Sequence, residues 1–542
     1  MCQDTDSAAP KTFAVGAALR VLCVLDGGEL RYRHMTQLRR LISVPTSGVE
    51  ALWRALVIGI VAYAFVLRVV FGAQVELIPE EAYYWNYSRH LDFGYLDHPP
   101  MVAWLIRAGT ALFGNTEFGV RFGALCCGAA AAFFMYRLAR NLFGESAALL
   151  ALGLMQVLPF FFLSGMLMTP DAPLTAAWAA ALHFLERALI GARPGAWMWA
   201  GLSVGIGLIS KYTIGLLGLA VLVFMLLDPP SRRWLRRFEP YAALLIAAAV
   251  FAPVIVWNAT HHWASFVFQT SRRLAEAPRF SLHKLVGSAL VLLTPIGLLA
   301  AGAALAGVAP RARASRFLRI AVLVPMAVFA VFSLRHEVKL DWTGAPWTAA
   351  VPLMAFGLAE ANGGAPGARH WLRLVWPPTM LIMPLIYGAG LYYLVLGIPG
   401  LGYSQHTELL PVEWREFARQ IDDIADTERA TYGDKLLVIG MDRYAIASEL
   451  AFYSHDQDRA VAATSSAHLF GEAGLMYEQW FPVELQAGRP LLLVAWDPAN
   501  LAATHLGNRA DGSEPVQEGV LARDGNLVRR YYYRIVDDYR YP

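Results

Sequence analysis

Long apolar segments recur along most of this chain, and they limit what it can fold into more than any other feature. A helix that crosses a bilayer needs about 20 mostly apolar residues, and we count eleven candidates. They are 51–73, 117–138, 146–165, 173–190, 197–211, 213–227, 240–257, 284–307, 317–334, 344–360 and 374–397. Charged residues make up only 16% of the chain, against about 25% in soluble domains. The sequence therefore predicts an all-α polytopic membrane protein.

The last part of the chain has the composition of a soluble domain. Residues 411–542 hold 21 acidic and 13 basic side chains, whereas the rest has a basic surplus. Short apolar runs predict strands at 436–439, 491–494 and 531–536, and the pattern at 444–453 predicts a helix. We expect a cytoplasmic extension without a stable fold (1–50), a transmembrane domain (51–397) and a small α/β domain outside the cytoplasm (398–542).

Arginine-rich connections set the expected orientation. Arginines cluster after the second, fourth, sixth and eighth candidate spans and before the eleventh. With eleven spans these connections share one side, which the positive-inside rule makes cytoplasmic. The N-terminus is then cytoplasmic and the C-terminal domain lies on the opposite side, while Met35 is an alternative start to Met1. Because the arginines serve orientation, no nucleic-acid partner is predicted.

The first outward connection, residues 74–116, is rich in acidic and aromatic side chains. Glu80 and Glu81 begin a helix predicted at 80–90, and they are followed by Tyr83 and Tyr84. Further on, Asp97 and His98 precede two prolines that favour an extended exit. Two interpretations stay open: carboxylates that only favour a helix start with an interfacial aromatic belt, or a catalytic loop.

Four other connections add candidates. Asp171 lies in the short sequence MTPDAP, where it is either an N-cap or a second site carboxylate. Lys211, at a predicted tight turn between two short spans, is one of only five lysines beside 40 arginines. A compact ammonium suits a phosphate, although a snorkelling anchor is the alternative. Lys339 and Asp341 stand in RHEVKLDWT, and His261 in ATHHW.

These outward segments together predict a reaction in which a hydroxyl is deprotonated and an anionic leaving group is stabilised. The pair His261-His262 has no carboxylate or cysteine at ligand spacing, so no metal site is predicted. The sequence leaves dependence on a divalent metal open and gives no certain cofactor.

The motifs EEAYYWNYSRHLDFGYLDHPPMVAW, TPDAPL, SKYT and VKLDWTG occur in this order. As a set they resemble those of the bacterial membrane glycosyltransferases related to protein O-mannosyltransferases and to the aminoarabinose transferases of lipid A. The resemblance covers about residues 51–360 and implies the C-type glycosyltransferase fold. It also implies a polyprenyl-phosphate-linked sugar as donor and an envelope glycolipid, glycan or protein as acceptor. The reaction would take place at the periplasmic face of the inner membrane.

The resemblance also implies roles for individual residues. Glu80 takes the base position where relatives carry aspartate, Glu81 follows as a second catalytic carboxylate, and Asp171 matches the second acidic position. The expected substrate contacts come from Lys211 (donor phosphate), His98, Asp97, Tyr83, Tyr84, Lys339, Asp341 and His261. A single displacement would invert the anomeric configuration. The competing hypothesis is a transporter or a flippase of lipid-linked sugars, whose charged groups usually lie near the bilayer midplane.

Overall fold

The computed structural model describes residues 46–272, 277–307, 312–361, 370–398, 401–403 and 410–541. Most of the expected N-terminal extension, with Met35, lies outside these ranges, as do the linker residues Pro399 and Gly400. Helices make up nearly all of the regular structure before residue 398, and a mixed α/β region follows from 410.

Each of the eleven apolar segments falls on helical structure. The helices are α1 (Thr46–Gln74), α2 (Pro79–Arg89), α3 (Met101–Phe113), α4 (Glu117–Phe143), α5 (Glu145–Val157), α6 (Pro159–Ser164), α7 (Asp171–Leu189), α8 (Ala196–Leu208), α9 (Gly215–Leu227), α10 (Glu239–Thr260), α11 (Ala264–Val267), α12 (Leu282–Ala306), α13 (Ala312–Ser333), α14 (Ala350–Ala361) and α15 (His370–Leu396). Six helices in the described ranges are long and apolar enough to cross a membrane, and several others are apolar but shorter. The structure thus supports a multi-pass helical protein without establishing the count of eleven.

The segment 74–116 is more ordered than the sequence indicated. Helix α2 confirms the helix predicted at 80–90, but α3 was not foreseen. The proline pair before α3 favours extended backbone on its N-terminal side, yet proline is also well tolerated at a helix start. Helix α3 packs closely on α4, because a Cβ atom at Gly109 would lie 2.2 Å from the carbonyl oxygen of Gly119. Residues 74–116 therefore form packed helices rather than an open loop.

The span predicted at 146–165 is broken at Pro159 into α5 and α6. Arg68 of α1 is buried at this break, where its Nε donates to the carbonyl oxygen of Phe162 (3.0 Å) and its Nη1 to Oε1 of Gln156 (2.5 Å). A charge buried at membrane depth is costly unless its donors are satisfied. Arg68 therefore stabilises the broken segment that leads into α7.

The C-terminal region is an α/β structure built on a six-stranded sheet. Its helices are α16 (Trp414–Tyr432), α17 (Ala445–Tyr453), α18 (Gln457–Ala463), α19 (Tyr477–Trp480) and α20 (Ala503–Leu506). Its strands are β1 (Leu437–Gly440), β2 (Thr464–Ser466), β3 (Leu491–Ala495), β4 (Ala510–Ser513), β5 (Gln517–Arg523) and β6 (Asn526–Tyr539). Strand β1 is parallel to β2 and β3, and β6 is antiparallel to β3, β4 and β5. The three predicted strands and the predicted helix are confirmed.

The C-terminal region packs on α2 through a shared apolar core. Trp85 of α2 is fully buried and meets Phe452 of α17 edge to face, with ring centroids 5.1 Å apart. Backbone hydrogen bonds add to this contact: the amide of Met476 donates to Oη of Tyr83 (3.2 Å), and that of Leu77 to Oη of Tyr453 (2.7 Å). Because apolar burial and polar contacts coincide here, the C-terminal region holds α2 in place.

One carboxyl group at this interface lacks partners. Glu449 of α17 is fully buried, and neither of its oxygens has a hydrogen-bond partner among the described residues. Burial raises the pKa of Glu449 well above its usual range, and the charges of Glu76 and Glu81 add to the effect. Burial also raises the pKa of Glu76 and of Asp442 to about 6. These groups keep protons in the folded state that the unfolded chain releases.

We therefore expect the folded protein to lose stability as the pH rises from 5 to 8. A raised pKa in the folded state contributes stability below the ordinary glutamate pKa, and this stability is lost as the pH climbs toward the raised value. Glu449→Met removes the unpaired oxygens, so it should raise the melting temperature at pH 8 more than at pH 5. The melting temperature in detergent, measured at both pH values beside the exposed control Glu484→Met, tests this. An equal change at both pH values would contradict it.

Candidate active site

A buried lysine joins two carboxylates that lie far apart in the sequence. Nζ of Lys211 is 2.9 Å from both Oδ1 and Oδ2 of Asp171 and 2.6 Å from Oδ2 of Asp341. The side chain of Lys211 is only 8% exposed, and that of Asp171 11%, whereas that of Asp341 is 47% exposed. We call these three residues the lysine cluster. Two of its members are enclosed, and the third faces open space.

The tight turn predicted around Lys211 explains how the lysine reaches this position. Helix α8 ends at Leu208, and a 3-10 helix at Tyr212–Ile214 leads into α9, so the predicted tight turn is present, although α8 packs mainly on α7 and α10 and α9 mainly on α13. The amide of Lys211 donates to the carbonyl oxygen of Gly207 (2.8 Å), which closes the turn. The amide of Met101 donates to the carbonyl oxygen of Ile209 (3.0 Å). The turn is thereby joined to the start of α3, which brings the 74–116 segment to the lysine.

Asp171 does not act as the N-cap that its sequence position allowed. It is the first residue of α7, the N-cap position is Pro170, and no side-chain capping bond is present. Instead both oxygens of Asp171 accept from Lys211. The capping alternative is therefore wrong, and Asp171 serves the lysine cluster.

Asp341 lies in a 3-10 helix at Leu340–Thr343, between α13 and α14. Burial acts to raise its pKa, but the charge of Lys211 and the hydrogen bond from it hold the pKa below the usual range. His98 also lies close enough to lower it. The ring of His98 meets that of Tyr84 edge to face at 5.7 Å, so His98 connects α2 with the lysine cluster. Lys339 is exposed two residues before Asp341.

Glu81, expected as a second catalytic carboxylate, is enclosed in an ion pair. Nε and Nη2 of Arg121 lie 2.9 Å and 2.6 Å from its two oxygens, and both side chains are fully buried. Its Oε1 also accepts from the amide of Met168 at 2.8 Å, three residues before Asp171. With both oxygens occupied and no exposed surface, Glu81 is not placed to meet a substrate. This corrects the expectation: Glu81 anchors α2 to the segment that carries Asp171.

Removing the carboxylate of Glu81 should destabilise the protein strongly. Glu81→Gln leaves the guanidinium of Arg121 buried without a counter-charge, which costs about 3–5 kcal/mol in comparable pairs. Glu81→Met combined with Arg121→Met should recover part of the stability, because no buried charge is left, while the backbone oxygens of Val75 and Glu76 still lose their donor. Thermal unfolding in detergent checks both, with Glu518→Gln, which breaks an exposed ion pair to Arg530, as control. A melting temperature unchanged by Glu81→Gln would contradict this role.

Glu80, the expected base, is exposed and faces the C-terminal region. Oη of Tyr444 donates to its Oε1 at 3.3 Å, and the ring of Tyr444 lies 4.8 Å from that of Tyr83. Burial raises the pKa of both tyrosines, so both remain protonated donors at neutral pH. Tyr444 follows strand β1 in the chain. Its contact with Glu80 is one that sequence reasoning did not identify.

Asp97 is held inside the fold rather than presented to a ligand. Oη of Tyr83 donates to its Oδ1 at 3.3 Å, and Tyr87 donates to the same oxygen. Burial raises the pKa of Asp97, while these hydrogen bonds act in the opposite direction. Nε2 of Gln269 donates to the backbone oxygen of Asp97 (2.5 Å). The structure thus gives Asp97 a role in fixing the turn before His98, and its expected substrate contact stays a prediction.

His261 lies apart from the contacts of the lysine cluster. Its ring stacks on Trp257 at 4.2 Å, and its Nδ1 is 2.8 Å from the carbonyl oxygen of Trp257. Trp257 in turn donates from Nε1 to Oδ2 of Asp92 (2.8 Å), which joins the end of α10 to the 74–116 segment. Within the described ranges, no group of three or more histidine, cysteine, aspartate or glutamate side chains is arranged to hold a metal ion.

Comparison with known proteins identifies the fold of this chain. Residues 97–257 match the family model of dolichyl-phosphate-mannose-protein mannosyltransferase. ArnT from Cupriavidus metallidurans, in a crystal structure bound to undecaprenyl phosphate, superposes with a TM-score of 0.57 at 17% identity, over 90% of this chain and 98% of that one. The chain therefore has the C-type glycosyltransferase fold that the motifs implied.

Two curated relatives are similar to parts of the chain. The lipid A galacturonosyltransferase RgtD of Rhizobium johnstonii is 30% identical over 34% of this chain and 39% of its own length. An undecaprenyl phosphate-alpha-4-amino-4-deoxy-L-arabinose arabinosyl transferase of Pseudomonas aeruginosa is 30% identical over 31% of each. The matched part thus spans well under half the length of either relative. The predicted resemblance to envelope glycosyltransferases is confirmed at this level.

Three important residues escaped the sequence analysis. Arg121 and Arg68 lie within apolar helices, and in the sequence each looks like an arginine that flanks a span. Only the structure shows that they donate to the buried side chains of Glu81 and Gln156. Tyr444 lies about 360 residues from Glu80 along the chain. A signal was available for the two arginines, because a charge inside an apolar span requires a partner.

Proposed function

We propose that this protein is a membrane glycosyltransferase that moves a sugar from a polyprenyl-phosphate donor to a hydroxyl of a cell-envelope acceptor. The main support for this proposal is that Lys211, Asp171 and Asp341 meet at helix ends. Glu80 lies on α2, in the 74–116 segment that a backbone hydrogen bond joins to the turn at Lys211. Similarity to a lipid A galacturonosyltransferase and an arabinosyl transferase supports an envelope acceptor such as lipid A or lipopolysaccharide.

Glu80 is the proposed general base. Its carboxylate is exposed, and it receives one hydrogen bond from Tyr444, which orients it and leaves its other oxygen without a described partner. It would take the proton of the acceptor hydroxyl as the oxygen attacks the anomeric carbon of the donor. The bond between that carbon and the phosphate oxygen breaks with its electron pair on the phosphate. Attack from the opposite face inverts the anomeric configuration.

Lys211 is the proposed partner of the leaving phosphate. Asp171 holds the ammonium in a buried bidentate contact, whereas the half-exposed carboxylate of Asp341 is the exchangeable one. A donor phosphate that displaces Asp341 would meet a fixed cation in a site shielded from water. There an electrostatic contact is worth more than in water. Lys339 precedes the same carboxylate by two residues and would add positive charge, and His98 lies near that carboxylate.

The proposed topology puts this site at the periplasmic face of the inner membrane. The N-terminus is then cytoplasmic and residues 398–542 form a periplasmic domain. The packing of the C-terminal region on α2, beside Glu80, supports a site that is open to an acceptor on that side. The lipid tail of the donor would lie between apolar helices, with Tyr84 near the mouth of the site.

A transfer assay tests the proposal. Purified protein in lipid nanodiscs is mixed with a radiolabelled polyprenyl-phosphate sugar and lipid A, and the product is analysed by mass and by NMR at the anomeric carbon. Sugar transfer with inversion is the expected result. Movement of intact donor across a vesicle membrane without transfer would instead identify a flippase, and retention of configuration would overturn the single displacement.

A further inference from the structure

The parallel strands of the C-terminal sheet have an order that is typical of ligand-binding sheets. The carboxyl end of β1 leads to Tyr444, which contacts Glu80. The parallel strands run in the order β2-β1-β3, so the chain passes from β1 to β2 on one side and then crosses to β3 on the other. In open parallel sheets, ligands bind outside the carboxyl ends of the strands where the order reverses in this way. After β1 and Met441 the chain continues as Asp442, Arg443 and Tyr444.

Two of these three residues already have partners. Both carboxylate oxygens of Asp442 accept from the amide of Ile446, at 3.3 Å and 3.1 Å, so the N-terminal end of α17 carries its own carboxylate. Tyr444 donates to Glu80. An incoming anion would therefore not bind at the start of α17. It would need another donor at the same edge.

Arg443 is that donor. Its side chain is exposed and has no ion pair, hydrogen bond or aromatic contact with any residue that the structure describes. Carboxylates are plentiful in this region, and other exposed arginines use them: Arg415 pairs with Glu117, Arg419 with Glu416 and Arg530 with Glu518. Arg443 is the residue directly before Tyr444, whose hydroxyl contacts Glu80, and its charge also acts on Asp97.

We propose that Arg443 binds an anionic group, phosphate or carboxylate, on the glycolipid acceptor and so orients the acceptor hydroxyl toward Glu80. This inference rests on the proposed function and adds a specificity residue to it. A guanidinium binds phosphate and carboxylate through two parallel hydrogen bonds, which fixes orientation as well as position. The donor phosphate is assigned to Lys211 in the membrane part, so the C-terminal region is left to recognise the acceptor.

The test compares two acceptors that differ only in charge. Bisphosphorylated lipid A and the same lipid after phosphatase treatment are assayed with the wild-type protein, Arg443→Ala and Arg443→Lys. Arg459→Ala, an exposed arginine of α18 paired with Asp456, is the matched control. For the phosphorylated acceptor we expect Arg443→Ala to raise KM about tenfold or more, with kcat and the donor KM unchanged. Arg443→Lys should fall between Arg443→Ala and the wild type.

With the dephosphorylated acceptor, the wild type and Arg443→Ala should have the same KM. An equal loss on both acceptors, a change in donor KM or no change at all would overturn the assignment. Binding of phosphorylated lipid A to the intact protein, measured without donor, gives a readout that does not need turnover. If the wild type transfers no sugar, the proposed function fails. Weaker binding by Arg443→Ala would still support the anion site, and equal binding would reject it.

Discussion

Replacing Lys211 by alanine should lower sugar transfer by about a hundredfold to a thousandfold, the range found when one preorganised electrostatic donor is removed from an active site. Lys211 lies between Asp171 and Asp341 and contacts both carboxylates. Its loss removes the charge proposed to stabilise the leaving phosphate. It also leaves two carboxylates facing each other. The rate is measured with labelled polyprenyl-phosphate sugar at saturating acceptor.

A second variant separates catalysis from folding. Repulsion between Asp171 and Asp341 should lower the melting temperature of Lys211→Ala, and Asp341→Asn in the same chain should restore much of it. Activity should stay low in the double variant, because the cation is still absent. Lys284→Ala is the matched control, since Lys284 forms a more exposed pair with Glu337. Recovery of activity together with stability would show that Lys211 has only a structural role.

Glu80→Gln should lower kcat by about 10²–10⁴-fold, which is the usual contribution of a general base. The amide is nearly isosteric and still accepts from Tyr444, so donor KM and the melting temperature should hardly change. Steady-state kinetics with each substrate varied in turn gives this separation. Full transfer by Glu80→Gln would remove Glu80 from the role of base.

Two companion variants sharpen the assignment of the base. Glu80→Asp keeps a carboxylate and shortens its reach by one methylene, and aspartate is the residue that the resembling enzymes carry here, so it should retain much more activity than Glu80→Gln. Tyr444→Phe removes one hydrogen bond at 3.3 Å and should cost far less than Glu80→Gln. Equal losses in Glu80→Asp and Glu80→Gln would argue against a proton transfer.

Much of the architecture followed from the sequence alone. Apolar runs located the long helices of the membrane part, although not α3, because a helix that crosses a bilayer needs a long apolar stretch. The short turn at Lys211 was predicted from one charge between two apolar runs, and the structure confirms the turn. Strands β1, β3 and β6 and helix α17 of the C-terminal region followed from simple periodicity, whereas its other described strands and helices did not. Among site residues, Asp171, Lys211 and Asp341 were selected by residue type and position, and the structure brings them together.

The pairing of charges was decided only by the tertiary structure. Glu80 and Glu81 are adjacent in sequence, yet one is exposed beside Tyr444 and the other is sealed against Arg121. Successive residues of a helix point in directions about 100° apart. Which of them meets solvent is therefore set by the elements packed on each face. Here those elements are α4 and the C-terminal region, which are distant in sequence and carry no local signal for α2.

The sequence by itself determined that this is a membrane-embedded helical protein with an acidic α/β region and a few unusual charges. Composition and periodicity report how each segment partitions between lipid and water. The tertiary structure alone decided which charges are neighbours, because a close contact between Lys211 and Asp341, 130 residues apart, depends on how the helices pack. It also brought Tyr444, which follows strand β1 of the C-terminal sheet, into contact with Glu80.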